Sequence, residues 1–362
     1  MLVSMDATED AARRSLVAGQ KPASVAGRAT SMRAMRVLVT GGAGFIGSHF
    51  VKRLAARGDD VRVLDKLTYS GNPANLSGVP HAFVRGDIAD PGAVAQAGQG
   101  CEAVVNFAAE THVDRSILEA GDFIRTDVYG THVLLEWARA AGAHFVQVST
   151  DEVYGDVPPG RSSGEDDPLR PSSPYAASKA GGDLQVLAYV RTYGVNASIT
   201  RGSNTYGPNQ YPEKLIPLFV TNALDGEPLP VYGDGRQTRD WLHVEDHCAA
   251  IDLVLREGGA GEAYNVGGGH EVENVEVTRR IVELTGADPS LVRHVADRPG
   301  HDRRYSLDSA KVRALGWGPE RRFEEGLAET VAWYRDNRVW WEPIKTGEFL
   351  AYYRTQYAER LR

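Results

Sequence analysis

The chain has 362 residues, 42% hydrophobic and 24% charged, a composition that supports a sizeable core and excludes a disordered chain or a small stapled module. Its formal net charge of −8, from 40 Lys and Arg against 48 Asp and Glu, opposes general nucleic-acid binding but leaves local anion sites open. The two cysteines, Cys101 and Cys248, sit in no CxxC or Cys/His cluster, so neither a metal site nor a disulfide framework is expected, and a reducing cytoplasm fits.

Residues 1–34 are small and polar, and Asp6, Glu9 and Asp10 set them apart from targeting peptides. They read as a disordered extension or, because Met32 and Met35 stand just before the first apolar run, as a mis-called start. The sequence then turns to RVLVT at 36–40, a β-branched strand, followed by the glycine turn GGAGFIGS and a helical pattern over 49–57. Further strands are predicted at 61–64, 82–84, 103–107, 145–149 and 197–200, with helices at 131–141 and 176–193 among them. This alternation predicts an α/β, Rossmann-like, doubly wound parallel sheet over 35–200. After Arg201 the rhythm breaks at the Pro- and Gly-rich stretches 209–212, 228–230 and 233–235. A smaller, loop-rich C-terminal substrate lobe is expected from 201–238 and 271–345, and a segment near 239–270 is expected to return to the sheet through a strand at 264–267. Helices are predicted at 275–285 and 323–337, and the aromatic tail 346–362 reads as a packing helix without chemistry. No apolar run approaches the roughly 18 residues that span a bilayer.

Gly41, Gly44 and Gly47 form a strand–turn–helix GxxGxxG pattern that lets a pyrophosphate approach the backbone at a helix N-terminus. By itself it is equally an ordinary glycine-rich turn. Asp65, ending the second strand, stands where a carboxylate accepts hydrogen bonds from the adenosine ribose and repels a 2′-phosphate, which favours NAD; the adjacent Lys66 keeps NADP open. Asp87 and Ile88 suit an adenine edge, and Asp87 equally suits a turn. Tyr175 and Lys179 form a YxxxK pair on one helix face, where a cation would favour the phenolate. Thr150 lies 25 residues before Tyr175 at a predicted strand end, placed to bond the same substrate oxygen. Together these residues resemble the extended short-chain dehydrogenase/reductase superfamily.

Asp151 and Glu152 follow in STDEVYG, an acid and a base at the rim of the ligand crevice. With AAETHVDRS at 108–116, RDWLHVEDH at 239–247 and DRPGHDRRY at 297–305, the chain from about Met35 to Lys345 resembles the dTDP-glucose 4,6-dehydratase family. The resemblance implies C4 oxidation by NAD with Tyr175 as base and Thr150 on the forming ketone. Loss of water across C5–C6 by Glu152 and Asp151 follows, then hydride return to C6. Which of the two carboxyls holds the proton is open at this stage. It implies further cofactor contacts from Phe45, Ile46, Leu67, Thr68, Phe107, Ala108, Ala109, Thr111, Thr126 and Thr205. Substrate contacts are implied for Thr111, Asn204, Lys214, Leu215, Pro230, Val231, Tyr232, Arg239, Asn274 and Tyr305, and for Asp297, Arg298, Pro299, Gly300 and His301. No metal is implied. Thr111 replaces a more usual Ser, and Thr205 replaces an Asn, which puts one nicotinamide-side contact in doubt. The resemblance also implies a homodimer formed by helices around 117–141 and 173–193, and a place in deoxysugar biosynthesis. The alternatives are another nucleotide-sugar enzyme (a UDP-glucose 4,6-dehydratase, a 4-epimerase or a UDP-glucuronate decarboxylase) and a noncatalytic NAD-binding sensor.

Overall fold

The computed structural model describes residues 33–357. The expectation for residues 1–32 therefore lies outside the described residues, as does the tail beyond Tyr357. The strands are β1 (Arg36–Thr40), β2 (Asp60–Asp65), β3 (Ala82–Arg85), β4 (Ala103–Asn106), β5 (His144–Thr150), β6 (Ala197–Gly202), β7 (Asn204–Tyr206), β8 (Leu229–Tyr232), β9 (Thr238–His243), β10 (Ala263–Val266), β11 (Glu271–Glu273) and β12 (Val292–Val295). The helices are α1 (Phe45–Ala56), α2 (Pro91–Gly98), α3 (Val113–Leu118), α4 (Gly121–Phe123), α5 (Thr131–Ala141), α6 (Pro174–Tyr193), α7 (Leu215–Asp225), α8 (Val244–Glu257), α9 (Asn274–Thr285), α10 (Ala310–Ala314), α11 (Phe323–Asp336), α12 (Arg338–Trp341) and α13 (Gly347–Tyr357). A π-helical turn, Ile124–Gly130, leads into α5.

Seven parallel strands form one sheet in the order β10-β6-β5-β4-β1-β2-β3. The order reverses between β1 and β4, so a crevice opens at their carboxyl ends. Alternation along β1 feeds two cores: Val37 and Val39 pack with Phe50 and Leu54 of α1 and with Ile251 and Val254 of α8. Leu38 faces the other side, with Leu134 and Leu135 of α5 and Val186 of α6.

Beyond Arg201 the chain is more regular than its loops suggest. It holds a three-stranded sheet, β11-β9-β7, and a two-stranded one, β12-β8. A third apolar core joins α7, α9, α11 and α13 through Phe219, Ile281, Leu327 and Phe349. Helix α7 escapes a periodicity argument because nearly every side is apolar and buried, from Ile216 through Val220. In the segment near 239–270, β10 joins the large sheet and α8 covers it, whereas β9 pairs with β7 and β11 in the small sheet.

Helix α6 carries the YxxxK pair, and its ends are strongly determined. Ser173 caps the first turn by accepting from Ala176 N at 3.1 Å, Pro174 follows, and Gly194 closes the helix at φ 68°. Its middle is fixed to the sheet by Asp183, whose Oδ2 accepts from Arg201 Nε of β6 at 2.9 Å. Arg201 also donates to the Tyr154 hydroxyl at 2.7 Å and to the Glu165 carbonyl at 3.1 Å. Both partners are buried, so removing one strands the other charge. Asp183→Ala is expected to lower stability by about 3–5 kcal/mol in denaturant unfolding; a loss below about 1 kcal/mol would show that the pair does not hold the helix.

Candidate active site

Strand β1 ends at Thr40 and the chain turns at Gly41, φ +64°, into α1. A Cβ on Gly41 would lie 2.7 Å from Ala108 N, and one on Gly47 would lie 2.3 Å from Gly41 O. Only glycine fits this cradle. Gly44 stands at the N-cap without a side chain to cap the helix, leaving first-turn amides for an anion, as a dinucleotide pyrophosphate requires. Asp65 accepts from Ala43 N at 3.0 Å and from Leu67 N at 2.8 Å, so it shapes the turn as well as rimming it. Burial raises its pKa, against those two bonds.

The turn opens into a cavity of about 310 Å³, which reaches from the glycines past Asp65, Lys66, Thr68, Asp87 and Ile88 to Thr150 and Tyr175. Phe45, Ile46, Phe107, Ala108, Ala109, Thr111 and Thr126 line it too, and of the expected cofactor residues Leu67 alone does not. Leu67 instead takes a left-handed backbone, φ 57°, just after Asp65. The Lys66 ammonium faces Glu110 at 3.2 Å and Asp87 at 4.0 Å, which engages the cation that left NADP open.

At the other end, β5 delivers Thr150, whose hydroxyl accepts from Glu152 N at 3.3 Å and lies 3.2 Å from Asp151 Oδ1. The carboxyl of Asp151 is 3% exposed, and its Oδ2 has no partner. Burial, then the charges of Glu152 and Asp240, push it well above the carboxylate range, although Arg239 opposes them. That upward push favours a proton on Asp151.

Tyr175 and Lys179 extend from the first turns of α6 into the same cavity. Burial first, then Glu152, Asp127 and Asp151, push the Tyr175 phenol well above its ordinary pKa, against a hydrogen bond from Thr150. The Lys179 ammonium donates to the Val148 carbonyl at 2.7 Å. Asp127, which sequence reasoning missed, accepts from Ser178 Oγ at 2.6 Å, and burial raises it to about 6.

The expected substrate residues fall into two groups. Asn204, Lys214 and Leu215 line the cavity, as does Thr205, expected on the cofactor side, with Lys214 donating to the Thr111 carbonyl. Thr205 Oγ1 is hydrogen-bonded with His247 Nδ1 at 2.8 Å. The others, on or near β8, β9, α9 and the segment after β12, form a neighbouring cluster that does not line it. Tyr305 links the two, lying 3.5 Å from Glu152 Oε2 and donating to Asp302 at 2.7 Å. The Arg239 guanidinium stacks over the Tyr305 ring at 4.3 Å and spends N–H groups on the carbonyls of Thr238 and Asp302. Asp297 meets His301 Nδ1 at 2.6 Å, and His301 packs on Tyr232 with centroids 6.0 Å apart. Asn274 Oδ1 and Arg298 Nη1 are buried without partners. Pro230 and Val231 are in β8, while Pro299 and Gly300 lie in the turn between Arg298 and His301.

Glu213, Tyr211, Trp241 and His247 line the cavity but were not singled out in the sequence. Trp241 Nε1 and His247 Nε2 are buried and unpartnered, as are Ser203 Oγ and Asn204 Oδ1. Such a set of orphaned polar atoms around one cavity is what a ligand-binding surface leaves.

A doubly wound sheet with this glycine cradle and a Thr150, Tyr175 and Lys179 set defines an extended short-chain dehydrogenase/reductase. The sequence model of the family described as GDP-mannose 4,6 dehydratase matches residues 38–330. A dTDP-glucose 4,6-dehydratase of Streptomyces niveus is 56% identical over 326 residues, covering 87% of this chain and 97% of the relative. Among solved structures, DesIV, a dTDP-glucose 4,6-dehydratase from Streptomyces venezuelae with NAD bound, is 57% identical. It has a TM-score of 0.84 and covers 86% of this chain and 100% of its own. A Thermus thermophilus UDP-glucose 4-epimerase complex with NAD is 37% identical with a TM-score of 0.79, covering 84% and 100%. The chain belongs to the nucleotide-sugar 4,6-dehydratase family, and within it to the dTDP-glucose 4,6-dehydratases.

The raised pKa of Asp151 has a stability consequence. The unfolded chain loses this proton near pH 4, whereas the folded chain keeps it, so the site's stability falls as pH rises toward the folded value. Asp151→Asn is neutral throughout. Its thermal midpoint is expected above the parent's at pH 8, with the gain shrinking toward pH 5; a pH-independent difference would contradict the buried neutral acid.

Proposed function

We propose that the chain converts dTDP-glucose to dTDP-4-keto-6-deoxyglucose and water with internally recycled NAD. The observation that carries this reading is the buried Asp151, whose Oδ2 has no partner and whose pKa burial raises, beside Glu152 and next to Thr150. An oxidation and reduction at C4 alone, as in a 4-epimerase, has no use for that acid. The likeness to 4-epimerase structures reflects the shared sheet and glycine cradle.

NAD, held at the Gly41–Gly47 turn and Asp65, supplies hydride acceptance from sugar C4, later hydride return to C6, and a positive charge that favours the Tyr175 phenolate. Tyr175 takes the C4 hydroxyl proton, and Thr150 hydrogen-bonds the forming ketone. The ketone acidifies the C5 hydrogen, which Glu152 removes as a proton. Asp151 donates its proton to the C6 hydroxyl, which leaves as water, and a proton is later restored at C5. Lys179 anchors the α6 face that presents Tyr175. Arg298, Arg239, Lys214, Asn204 and Asn274 are assigned to the nucleoside diphosphate, for which guanidinium forks and buried amides are suited.

We also propose a homodimer. Ile117, Leu118, Ile124, Tyr129, Leu184 and Tyr193 are exposed apolar side chains along α3, the π-helical turn and α6, a surface that water does not favour. No helix among the described residues is long and apolar enough to cross a membrane. The two buried free thiols, Cys101 and Cys248, support a reducing cytoplasm. Sedimentation is expected to give twice the chain mass, and a monomer at micromolar concentration would overturn the dimer.

Purified protein given dTDP-glucose without added NAD is expected to release one water per sugar and form the 4-keto chromophore, with UDP-glucose turned over more slowly. Glu152→Gln should lower water release by roughly 10²–10⁴-fold. No loss of water from either sugar, even with NAD supplied, would overturn the dehydratase reading.

A further inference from the structure

The aromatic C-terminal helix has no role in the scheme above, yet it is built into the substrate lobe at a specific point. Asp114 Oδ2, on α3, accepts from the Tyr232 hydroxyl at 2.9 Å and from Gln356 Nε2 of α13 at 3.0 Å. Gln356 Nε2 also donates to the Tyr232 hydroxyl oxygen at 2.7 Å. The three groups close a triangle in which the two amide hydrogens and the phenol hydrogen are all used. Tyr357 stacks on Tyr232, with centroids 6.0 Å apart and planes at 30°. Asp114 Oδ1 faces Arg298 Nε at 3.6 Å, while Arg298 Nη1 remains buried and unpartnered. One turn back along the helix, the Tyr352 hydroxyl lies 3.3 Å from His112 Nδ1, and Arg115 stacks over the Tyr352 ring at 4.3 Å.

We propose that α13 is a positioning element of the nucleotide-diphosphate subsite, in which Gln356 fixes Tyr232 and, through Asp114, aims Arg298. This rests on the assignment of Tyr232 and Arg298 to the substrate. A phenol stacked on one face and hydrogen-bonded twice has a single orientation. A guanidinium ion-paired at Nε with a buried carboxylate is biased to one direction, and its unpartnered Nη1 is left for an anionic oxygen. The helix thus sets both groups before substrate arrives, which lowers the ordering cost of binding without touching the reacting carbons.

The test uses the full chain. Gln356→Leu removes both amide hydrogens at nearly constant size. It is expected to weaken dTDP binding by calorimetry and to raise KM for dTDP-glucose, each by about tenfold, with kcat within about twofold and retained NAD unchanged. Tyr353→Phe loosens the same helix elsewhere, at its contact with Asn222, and is expected to change neither. If Gln356→Leu does not fold, Gln356→Glu, which keeps the size but loses the donors, is expected to give the same rise in KM. Unchanged dTDP affinity in the folded variant, an equal loss in Tyr353→Phe, or a fall confined to kcat would overturn the proposal. A parent chain that binds no dTDP and dehydrates no sugar would overturn the functional reading and this proposal together; a parent that does both beside an unaffected variant overturns this proposal alone.

Discussion

The arrangement depends on one geometric constraint: strands paired in parallel all end at the same edge of the sheet. Neighbouring strands lie about 4.8 Å apart, so residues far apart in sequence are forced together wherever their strands stop. Thr40 ends β1, Asp65 ends β2, Thr150 ends β5 and Gly202 ends β6. The turns after these strands supply the glycine cradle, the carboxylate beside it, the Asp151–Glu152 pair and the Asn204–Thr205 wall. Helix α6 then has to be held in register with that edge. The buried Arg201–Asp183 pair does this from β6, since neither buried charge can leave the other without stranding it.

Desolvation gives the site its chemical character. Asp151, Asp127 and Tyr175 are all pushed upward chiefly by burial. Burial thus favours the protonated form of each group over the charged one. The Lys179 ammonium is engaged by the Val148 carbonyl. The upward push on the phenol comes from the protein alone, and the positive charge of an oxidised nicotinamide would act against it.

The sheet was legible because buried parallel strands and covering helices leave strong periodic signals, and the glycine cradle because only one residue type tolerates its contacts. The acid and base were legible as adjacent residues at a strand end. Other elements were hidden for definite reasons. Helix α7 is buried on nearly all sides, so no amphipathic stripe marks it. Helix α2 was not predicted, being only eight residues long, although Asp90 caps it by accepting from Gly92 N at 2.8 Å and Pro91 follows. Glu213 and His247 reach the cavity only through packing: Glu213 against Tyr69 and Arg115, His247 against Thr205. No local pattern encodes contacts between such distant segments.

The division between shared scaffold and local chemistry explains how one architecture serves both epimerases and dehydratases. Both need a hydride taken from a sugar carbon, which requires a cofactor along the sheet edge and a Tyr-Thr pair at the sugar oxygen. Elimination needs two further groups of opposite protonation near adjacent carbons. A scaffold that already ends β5 at this oxygen can supply them from the next two residues, provided one is sealed from water and the other is not. Asp151 is buried and Glu152 is half-buried, so the turn after a single strand gives two adjacent carboxyls different access to water. On the proposed assignment, the nucleotide is gripped from the lobe by Tyr232 and Arg298, which Asp114 of α3 meets from the sheet side. The reaction and the substrate grip are thus set by different parts of the chain, and they meet where Tyr305 approaches Glu152.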